Sequence, residues 1–467
     1  MNLRFAVTTT LASALVLSVA GPPAAAEALS RREAVARALE VNPDVLRGVE
    51  EYNRLMGRAT EARAEALPEV NVYGTYLRYQ DPSFLNSSSF DQLPPEFVAA
   101  LKPIPQNLWE GNAQLKQTLF SFSLRKAIRA ASYAKDLGTE DLQRVRQQVA
   151  LRTIFAYNAY LVALERAKVG ERTVKQKQQQ LEAARNRRAS GVATELEVLR
   201  FQVDLENARA QVMRLQGAAD LARGDLNTVI LRPTNAPVEP LDDLAFVDLE
   251  PDLDATIVQA IADRPEVKAA AWNARIYDEL VGIARADAQP RLDFNGVYGW
   301  SVRDTGNFFK DDYQKWSLSV TLKVPVFDGW RTAGRVAQAK ADRAKVEQDR
   351  ISLEAQIERE AKEAVDRLRV AKSVLQAAEL NVEQARKALE MTQANYQLGA
   401  ATTLDVLDAQ AALTQADINR VEALYAHADA RAGLRYVVAQ DPLGNEGVAA
   451  PEPPASQSSP TTSGDRR

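Results

Sequence analysis

The chain has 467 residues, of which 46% are hydrophobic and 26% are charged, so it can form a large core or long amphipathic elements. Its formal net charge of -4 gives no general attraction to nucleic acid, which is therefore not an expected partner. It contains no cysteine and one histidine, His427, which excludes disulfides, thiol chemistry and nearly every histidine-based metal site or triad, and no cofactor is expected.

The first predicted element is a secretory signal peptide over residues 1–26. Arg4 precedes an uncharged run over 5–20, and a stretch of small residues ends at Ala26. The alternative is an uncleaved anchor helix, but the Gly-Pro-Pro sequence at 21–23 ends the apolar run too early for a comfortable span. We therefore expect an exported protein without a transmembrane helix.

The rest of the chain repeats one plan, over 27–232 and again over 254–440. The motifs "ALEVNPDV" and "LPEVNVYGTY" of the first copy return in the same order as "AIADRPEV" and "QPRLDFNGVY". A repeat of this length indicates an internal duplication rather than an ordinary solenoid. Between the copies, the proline-rich and acidic segment 233–253 is interpreted as an equatorial linker. The tail at 441–467 has the composition of a disordered segment.

Each copy begins with helical sequence and continues into β-strands. Pro43 and Pro265 each interrupt a helical pattern after about a dozen residues. Alternation of apolar and polar residues then predicts two strands in each copy. The four predicted strands cover about 69–80, 111–122, 291–303 and 313–327.

The predicted strands suit either a sandwich sheet or a membrane β-barrel, because each has one apolar and one polar face. Trp109, Trp300 and Trp316 fall near one end of the strands, as an aromatic girdle at a membrane interface would. Four strands cannot close a barrel alone, and open edges are not tolerated in lipid. We therefore predict that several chains share one barrel.

A very long helix follows each pair of strands, at 123–190 and at 328–398. Apolar and small residues recur there in alternating steps of three and four, which is the period of a coiled coil. At about 1.5 Å per residue, each helix would extend roughly 100 Å. Tyr160 on the first of these helices, and Tyr425 and His427 on the helix predicted at 402–439, are interpreted as packed rather than ligand-binding or reactive.

A glycine ends each long helix, and a returning helix is predicted at 192–230 and at 402–439. Gly191 and Gly399 suit the left-handed backbone of a helix end. Threonines that can cap the returning helices follow both glycines: Thr194, Thr402 and Thr403. Each corner is therefore predicted to be the tip of a helical hairpin, at the end opposite the strands.

These features resemble the TolC-like outer membrane efflux proteins, the outer membrane factors. The resemblance covers nearly all of the mature chain, and two further motifs carry it: "VPVFDGW" leaving the last strand and "YQLGAATTLDVLDAQAAL" at the second corner. It implies an α+β membrane protein with an internal duplication. The resemblance further implies a homotrimer. Four strands from each protomer would form a transmembrane β-barrel that continues into a long α-helical barrel of coiled-coil hairpins. It also implies a location in the cell outer membrane, in contact with its lipid and extending into the periplasm.

The resemblance implies a function as the exit duct of a tripartite efflux pump or a type I secretion system. Transport would be passive and gated at the periplasmic tip. The implied partners are a periplasmic adaptor, an inner-membrane transporter and two further copies of the chain. The tip turns that would dock the adaptor are Gly191, Thr194, Gly399, Thr402 and Thr403.

The residues that the resemblance assigns to the periplasmic aperture are Asp405, Asp408, Tyr396 and Glu197. A spacing of three puts the two aspartates on one helix face, and three chains would form a carboxylate ring that favours cations. Such crowding would raise some carboxylate pKa values. The alternative is that both aspartates simply stabilise a helix N-terminus.

One position departs from the family pattern. An arginine that joins neighbouring chains in the best-known members is replaced here by Ala401. Tyr396 can still form a hydrogen bond across chains, but we expect a looser or differently fastened gate.

Two other classes of protein compete with the duct as interpretations of the sequence. A coiled-coil protein that bridges envelope layers without a pore is the alternative, but such a tether has no use for amphipathic strands. An enzyme is not expected, because the chain lacks a glycine-rich phosphate loop as well as cysteine, and its acidic pairs are typical of solvated helix faces.

Overall fold

Helices form most of the structure, a computed structural model that describes residues 27–81 and 104–441. The predicted signal peptide at 1–26 and the predicted disordered tail from 442 onward lie outside the described residues. In chain order the elements are β1 (Glu27–Leu29), α1 (Arg31–Val41), α2 (Pro43–Ala64), β2 (Glu69–Tyr79), β3 (Gln106–Ser121), α3 (Phe122–Ala189), α4 (Glu195–Val229), β4 (Val238–Pro240), α5 (Leu253–Asp263), α6 (Pro265–Ala286), β5 (Arg291–Val302), β6 (Gln314–Lys323), α7 (Arg331–Gln397) and α8 (Thr403–Val437).

A proline begins the second helix of each short helical pair, α2 and α6. Proline suits a first turn because the N–H that it lacks would have no intrahelical partner there. Before α2, the side chain of Asn42 accepts a hydrogen bond of 2.9 Å from the backbone N–H of Asp44. Before α6, Arg264 fills the same position without a side-chain cap, and its guanidinium instead contacts Glu266 and Glu360. Both predicted interruptions therefore fall between separate helices.

The long helices α3 and α7 contain 68 and 67 residues, and the returning helices α4 and α8 contain 35 residues each. Their ends lie within about three residues of the predicted ends. The largest differences are at two helix starts: α4 begins at Glu195 rather than at 192, and α7 begins at Arg331 rather than at 328. Gly329 and Trp330 before it have positive φ angles of 67° and 66°, a backbone that a right-handed helix cannot include.

The four long strands form one antiparallel sheet with the order β2-β3-β5-β6. The predicted start of the second strand at 111 is wrong, because β3 begins at Gln106 and pairs there with Tyr79 at the end of β2. The predicted end of the last strand at 327 is also wrong, because β6 ends at Lys323. Pro325 follows, and it lacks the N–H that would continue the ladder.

The sheet has one apolar face that continues across all four strands. The register brings together, on that face, Val72, Ala113, Tyr298 and Trp316, and on the next rungs Val70, Leu115, Gly296 and Leu318. The apolar side chains of β6 from Trp316 to Leu322 are between 60% and 70% exposed, so nothing in the described chain covers them. On the opposite face, Gln114 donates a hydrogen bond of 2.6 Å to Asn295.

A two-stranded parallel sheet joins β1 to β4, and two buried tyrosines of α3 hold it. The hydroxyl of Tyr157 donates to the carbonyl oxygen of Leu29 at 2.8 Å, and that of Tyr160 donates to Val238 at 2.9 Å. Burial raises the pKa of both tyrosines. The predicted linker therefore contains a strand that pairs with the first described residues of the chain.

The chain divides into two compact units, and each combines segments of both predicted repeats. Among the described residues, the turn unit comprises 27–38, Arg152–Phe246 and Val374–Ala428, and it contains both glycine turns. The sheet unit comprises, of the described residues, 39–81, 104–151, Val247–Ser373 and 429–441, and it contains the four-stranded sheet. Within the described ranges, none of the helices combines the length and the apolar character that crossing a bilayer requires.

Candidate functional site

The two glycine turns have the same backbone geometry. Gly191 and Gly399 both have a φ of 78°, which favours glycine because a Cβ would be strained there. In the first turn the N–H of Val192 donates to the carbonyl oxygen of Arg187 at 2.9 Å. In the second turn the N–H of Ala400 donates to Asn395 at 2.8 Å. These bonds are those of a Schellman motif, in which carbonyl groups in the last turn of each long helix accept hydrogen bonds from N–H groups of the tip turn.

Threonine caps the N-terminus of each returning helix. Thr194 accepts a hydrogen bond of 3.3 Å from the N–H of Glu197. At α8, Thr402 accepts from the N–H of Asp405 at 3.3 Å, and the Asp405 carboxylate accepts from the N–H of Thr402 at 2.7 Å. This reciprocal pair is a capping box. Of the two threonines expected to cap α8, Thr402 does so, whereas Thr403 is buried within the first turn.

Asp405 and Asp408 are both exposed at the start of α8. The backbone and side-chain hydrogen bonds from Thr402 lower the pKa of Asp405. Within one chain, Asp405 therefore acts as a capping residue at the helix N-terminus. The predicted ring would require other chains, and its crowding would shift carboxylate pKa values in the opposite direction.

The other two predicted aperture residues meet within one chain. The hydroxyl of Tyr396, near the end of α7, donates a hydrogen bond to the carboxylate of Glu197 in α4. The guanidinium of Arg187, in the last turn of α3, lies 4.5 Å from the centre of the Tyr396 ring. Within one chain the Tyr396 hydroxyl is therefore bonded to the first hairpin, and the bond across chains that the sequence suggested stays a prediction. Arg187 was missed, although a cation four residues before the turn glycine was visible in the sequence.

An apolar cluster beneath the tips fixes these elements in place. Its buried members come from both arms of the first hairpin: Leu181, Ala184, Val198, Phe201 and Leu205. Leu407 of α8 packs against this cluster. The start of α8 is therefore held against the first hairpin, and this brings the second tip turn to the first.

The three predicted girdle tryptophans lie in the sheet unit on its apolar face. The register pairs Trp109 with Val302, Trp300 with Gly111 and Trp316 with Tyr298, so all three lie near the strand ends that adjoin the turn after β5. Aromatic contacts continue around them, including a distance of 4.3 Å between the ring centres of Tyr76 and Trp109.

Comparison with known proteins identifies the family. Residues 34–230 and 256–440, most of the chain, match the family model described as outer membrane efflux protein. The chain belongs to the outer membrane efflux protein family. This confirms the family resemblance seen in the sequence and the expected location in the outer membrane.

Individual relatives of this outer membrane efflux protein agree with the assignment. Outer membrane protein OprJ of Pseudomonas aeruginosa is 25% identical over 363 residues, which cover 74% of this chain and 71% of OprJ. The alkaline protease secretion protein AprF of the same species is 24% identical over 335 residues, covering 69% of this chain and 68% of AprF. Both relatives are named for outer membrane or secretion roles rather than for catalysis.

A solved structure shares the fold of this outer membrane efflux protein. The CmeC outer membrane channel of Campylobacter jejuni aligns with a TM-score of 0.73 and 16% identity, covering 88% of this chain and 85% of CmeC. The helix-rich architecture with a small sheet is therefore that of a TolC-like channel. Over the described residues, no group of three or more histidine or acidic side chains is arranged to hold a metal ion.

A second residue missed by the sequence analysis lies two turns into α8 of this efflux protein. Gln410 is 1% exposed, and neither atom of its amide has a hydrogen-bond partner among the described residues. Leu407 and Leu413, on either side of it along the helix, both pack against apolar clusters. The sequence gives no sign of this burial, because glutamine is common on exposed helix faces.

Gln410→Met is expected to raise the stability of the detergent-solubilised protein. An unpaired buried amide costs about 1–3 kcal/mol, and methionine has a similar shape without the polar atoms. Thermal unfolding measures the effect. Gln415→Met is the matched control, because Gln415 is exposed on the same helix and donates to Asn419 at 2.8 Å. A melting temperature of Gln410→Met at or below that of the control would contradict the expectation.

Proposed function

We propose that three copies of this chain form the outer membrane exit duct of a tripartite efflux pump or a type I secretion system. The observation that carries the proposal is the exposed apolar face of the four-stranded sheet. An exposed apolar face of this extent suits lipid rather than water, and its tryptophans lie where an interfacial girdle would. Trp109, Trp300 and Trp316 would form that girdle.

The edges of the sheet support a shared barrel. Among the described residues, β2 and β6 each pair with a neighbouring strand on only one side. Lipid offers no partner to unpaired N–H and C=O groups, so β6 of one chain would pair with β2 of the next. Three chains with four strands each would give a closed cylinder of twelve strands. The polar faces, with pairs such as Gln114 and Asn295, would then line the lumen.

The internal duplication predicted from the sequence supports the same assembly. The two ranges that match the family model lie within the two repeats predicted at 27–232 and 254–440. A chain with two similar hairpins would contribute two similar parts to the wall of an α-helical barrel. The fold shared with CmeC supports this arrangement.

The tip turns would form the gate and the docking surface. Asp405 and Asp408 are exposed at the start of α8, where three chains could bring six carboxylates together. Apolar side chains at both turns, such as Val192 and Leu398, are also exposed. They offer a contact surface to a periplasmic adaptor, which would connect the duct to an inner-membrane transporter. The name of AprF, a secretion protein, supports a secretion role as well as an efflux role.

Conductance across a planar lipid bilayer tests the duct. The purified trimer is expected to form ion-conducting pores that a trivalent cation blocks from the side of the tips. The double variant Asp405→Asn and Asp408→Asn is expected to raise the blocking concentration about tenfold or more, because carboxylates bind hard cations far better than amides do. Asparagine keeps a side-chain oxygen that can accept the hydrogen bond from the Thr402 N–H.

Asp417→Asn, farther along α8, is the matched control and should leave the block unchanged. A stable trimer without conductance would overturn the duct and support the tether without a pore. Pores that the double variant leaves equally sensitive to the cation would remove the carboxylate ring and leave the duct.

A further inference from the structure

We infer that Arg187 holds the tip of each chain closed by binding the ring of Tyr396, and so supplies from the first hairpin the cation that the second tip turn lacks. The inference rests on the proposed gate and names a positioning residue for it. Arg187 touches no cargo and acts through Tyr396.

The second tip turn contains no charged side chain. Its sequence from Leu398 to Leu404 is Leu-Gly-Ala-Ala-Thr-Thr-Leu, and the nearest charged residue after it, Asp405, belongs to the capping box. The cation that contacts Tyr396, just before this turn, therefore comes from another element. Arg187, at the end of the first long helix, is placed to provide it.

The Arg187 side chain is directed at the ring rather than at a carboxylate. Its guanidinium carbon lies 4.5 Å from the ring centre of Tyr396, within the range of a cation–π interaction. Among the described residues no ion pair involves Arg187, whereas its neighbour Arg188 pairs with Glu195. The Arg187 carbonyl oxygen also accepts from Val192 in the Schellman turn, so the backbone that carries the side chain is fixed.

The contact joins three helices. Arg187 is in α3, Glu197 in α4 and Tyr396 in α7, and the Tyr396 hydroxyl donates to the Glu197 carboxylate. A cation over the ring face withdraws electron density from the phenol and makes its hydroxyl a better donor to the carboxylate. The two contacts therefore strengthen each other. Movement of the second hairpin away from the first must break both.

The test uses the full-length trimer in two measurements. Because the chain has no cysteine, Ser190→Cys and Ala400→Cys can be labelled specifically with nitroxides, one on each tip turn. Pulsed electron spin resonance on trimers diluted with unlabelled chains then gives the distance between the two turns of one chain. Single-channel recording of the unlabelled proteins gives the fraction of time in the open state.

Arg187→Leu is expected to lengthen and broaden the distance distribution and to shift the ratio of open to closed states about two- to fivefold towards open, the range of one cation–π contact. Arg187→Lys should keep the distances and the ratio of open to closed states close to those of the parent protein, because lysine keeps the charge. Arg188→Leu is the matched control and should behave as the parent protein does. In the Tyr396→Leu background, Arg187→Leu should have no further effect.

Distances in Arg187→Leu that match those in the parent and in Arg188→Leu would overturn the inference. So would an equal effect of Arg187→Leu with and without the Tyr396 ring. Absence of conductance in the parent would overturn the proposed duct instead, and the distance measurement would still decide whether Arg187 holds the turns together.

Discussion

Val320→Lys is expected to prevent stable insertion of the protein into a bilayer, whereas Ser319→Lys is expected to leave insertion intact. The two residues are neighbours in β6, but they point to opposite faces of the sheet. Val320 pairs with Phe294 on the apolar face, and Ser319 pairs with Asn295 on the polar face. A lysine that faces lipid near the middle of a membrane strand costs about 2–4 kcal/mol, and three chains would each carry it.

Insertion into phosphatidylcholine vesicles, followed by protection of the sheet from added protease, measures this difference. The Ser319→Lys variant controls for the added charge and for the loss of strand propensity, since both variants place lysine in the same strand. Equal insertion of the two variants would contradict the assignment of the apolar face to lipid. Failure of both would indicate that β6 tolerates no lysine, and Val324→Lys, beyond the end of the strand, would then show whether position or charge is responsible.

Local sequence signals were sufficient where one residue determines the backbone. Pro43 and Pro265 separate the short helices because proline cannot continue a helix through its interior. Gly191 and Gly399 mark the tip turns because the left-handed conformation excludes most other residues. The ends of the long helices could therefore be predicted to within a few residues.

Features that depend on a distant partner could not be predicted in the same way. The start of β3 at Gln106 is set by the length of β2 opposite, because the ladder continues as long as Tyr79 offers a partner. The alternation of residues in β3 alone does not extend that far. In the same way, the contact between Arg187 and Tyr396 joins residues about two hundred positions apart. Their types are common on helices and indicate no pairing.

The different hydrogen bonds of the aperture residues Asp405 and Glu197 have a similar explanation. The sequences that begin α4 and α8 both have threonine followed three positions later by an acidic residue, the signature of a capping box. Only Asp405 completes the box, whereas the Glu197 carboxylate bonds to Tyr396. The longer glutamate side chain reaches a neighbouring helix, and this choice depends on tertiary packing that a local motif does not encode.

Arg264→Met is expected to lower the free energy of unfolding by about 3–5 kcal/mol, because it leaves two carboxylates partly buried without their cation. The Arg264 side chain is 7% exposed and contacts Glu266 at 3.1 Å and Glu360 at 2.5 Å. Burial disfavours the charged guanidinium, but the hydrogen bonds to these carboxylates outweigh it and raise the pKa of Arg264. Arg359→Met, whose side chain is 66% exposed and pairs with Glu363 on the surface, should cost about 0–1 kcal/mol.

The pH dependence of the difference between Arg264→Met and the parent separates lost charge pairing from lost packing. Burial raises the pKa of Glu360, but the hydrogen bonds from Arg264 and Gln356, with the charges of Arg264 and Arg359, outweigh it and hold that pKa below its ordinary value. A carboxyl group with a lowered folded-state pKa contributes stability above its unfolded pKa of about 4.3, and this contribution is lost as the pH falls through the folded value. Unfolding of the detergent-solubilised protein should therefore show a large deficit for Arg264→Met at pH 7 that shrinks below about pH 4. A deficit that stays constant across this range would assign the role of Arg264 to packing against Tyr436, whose ring centre lies 5.8 Å from the guanidinium, rather than to its charge.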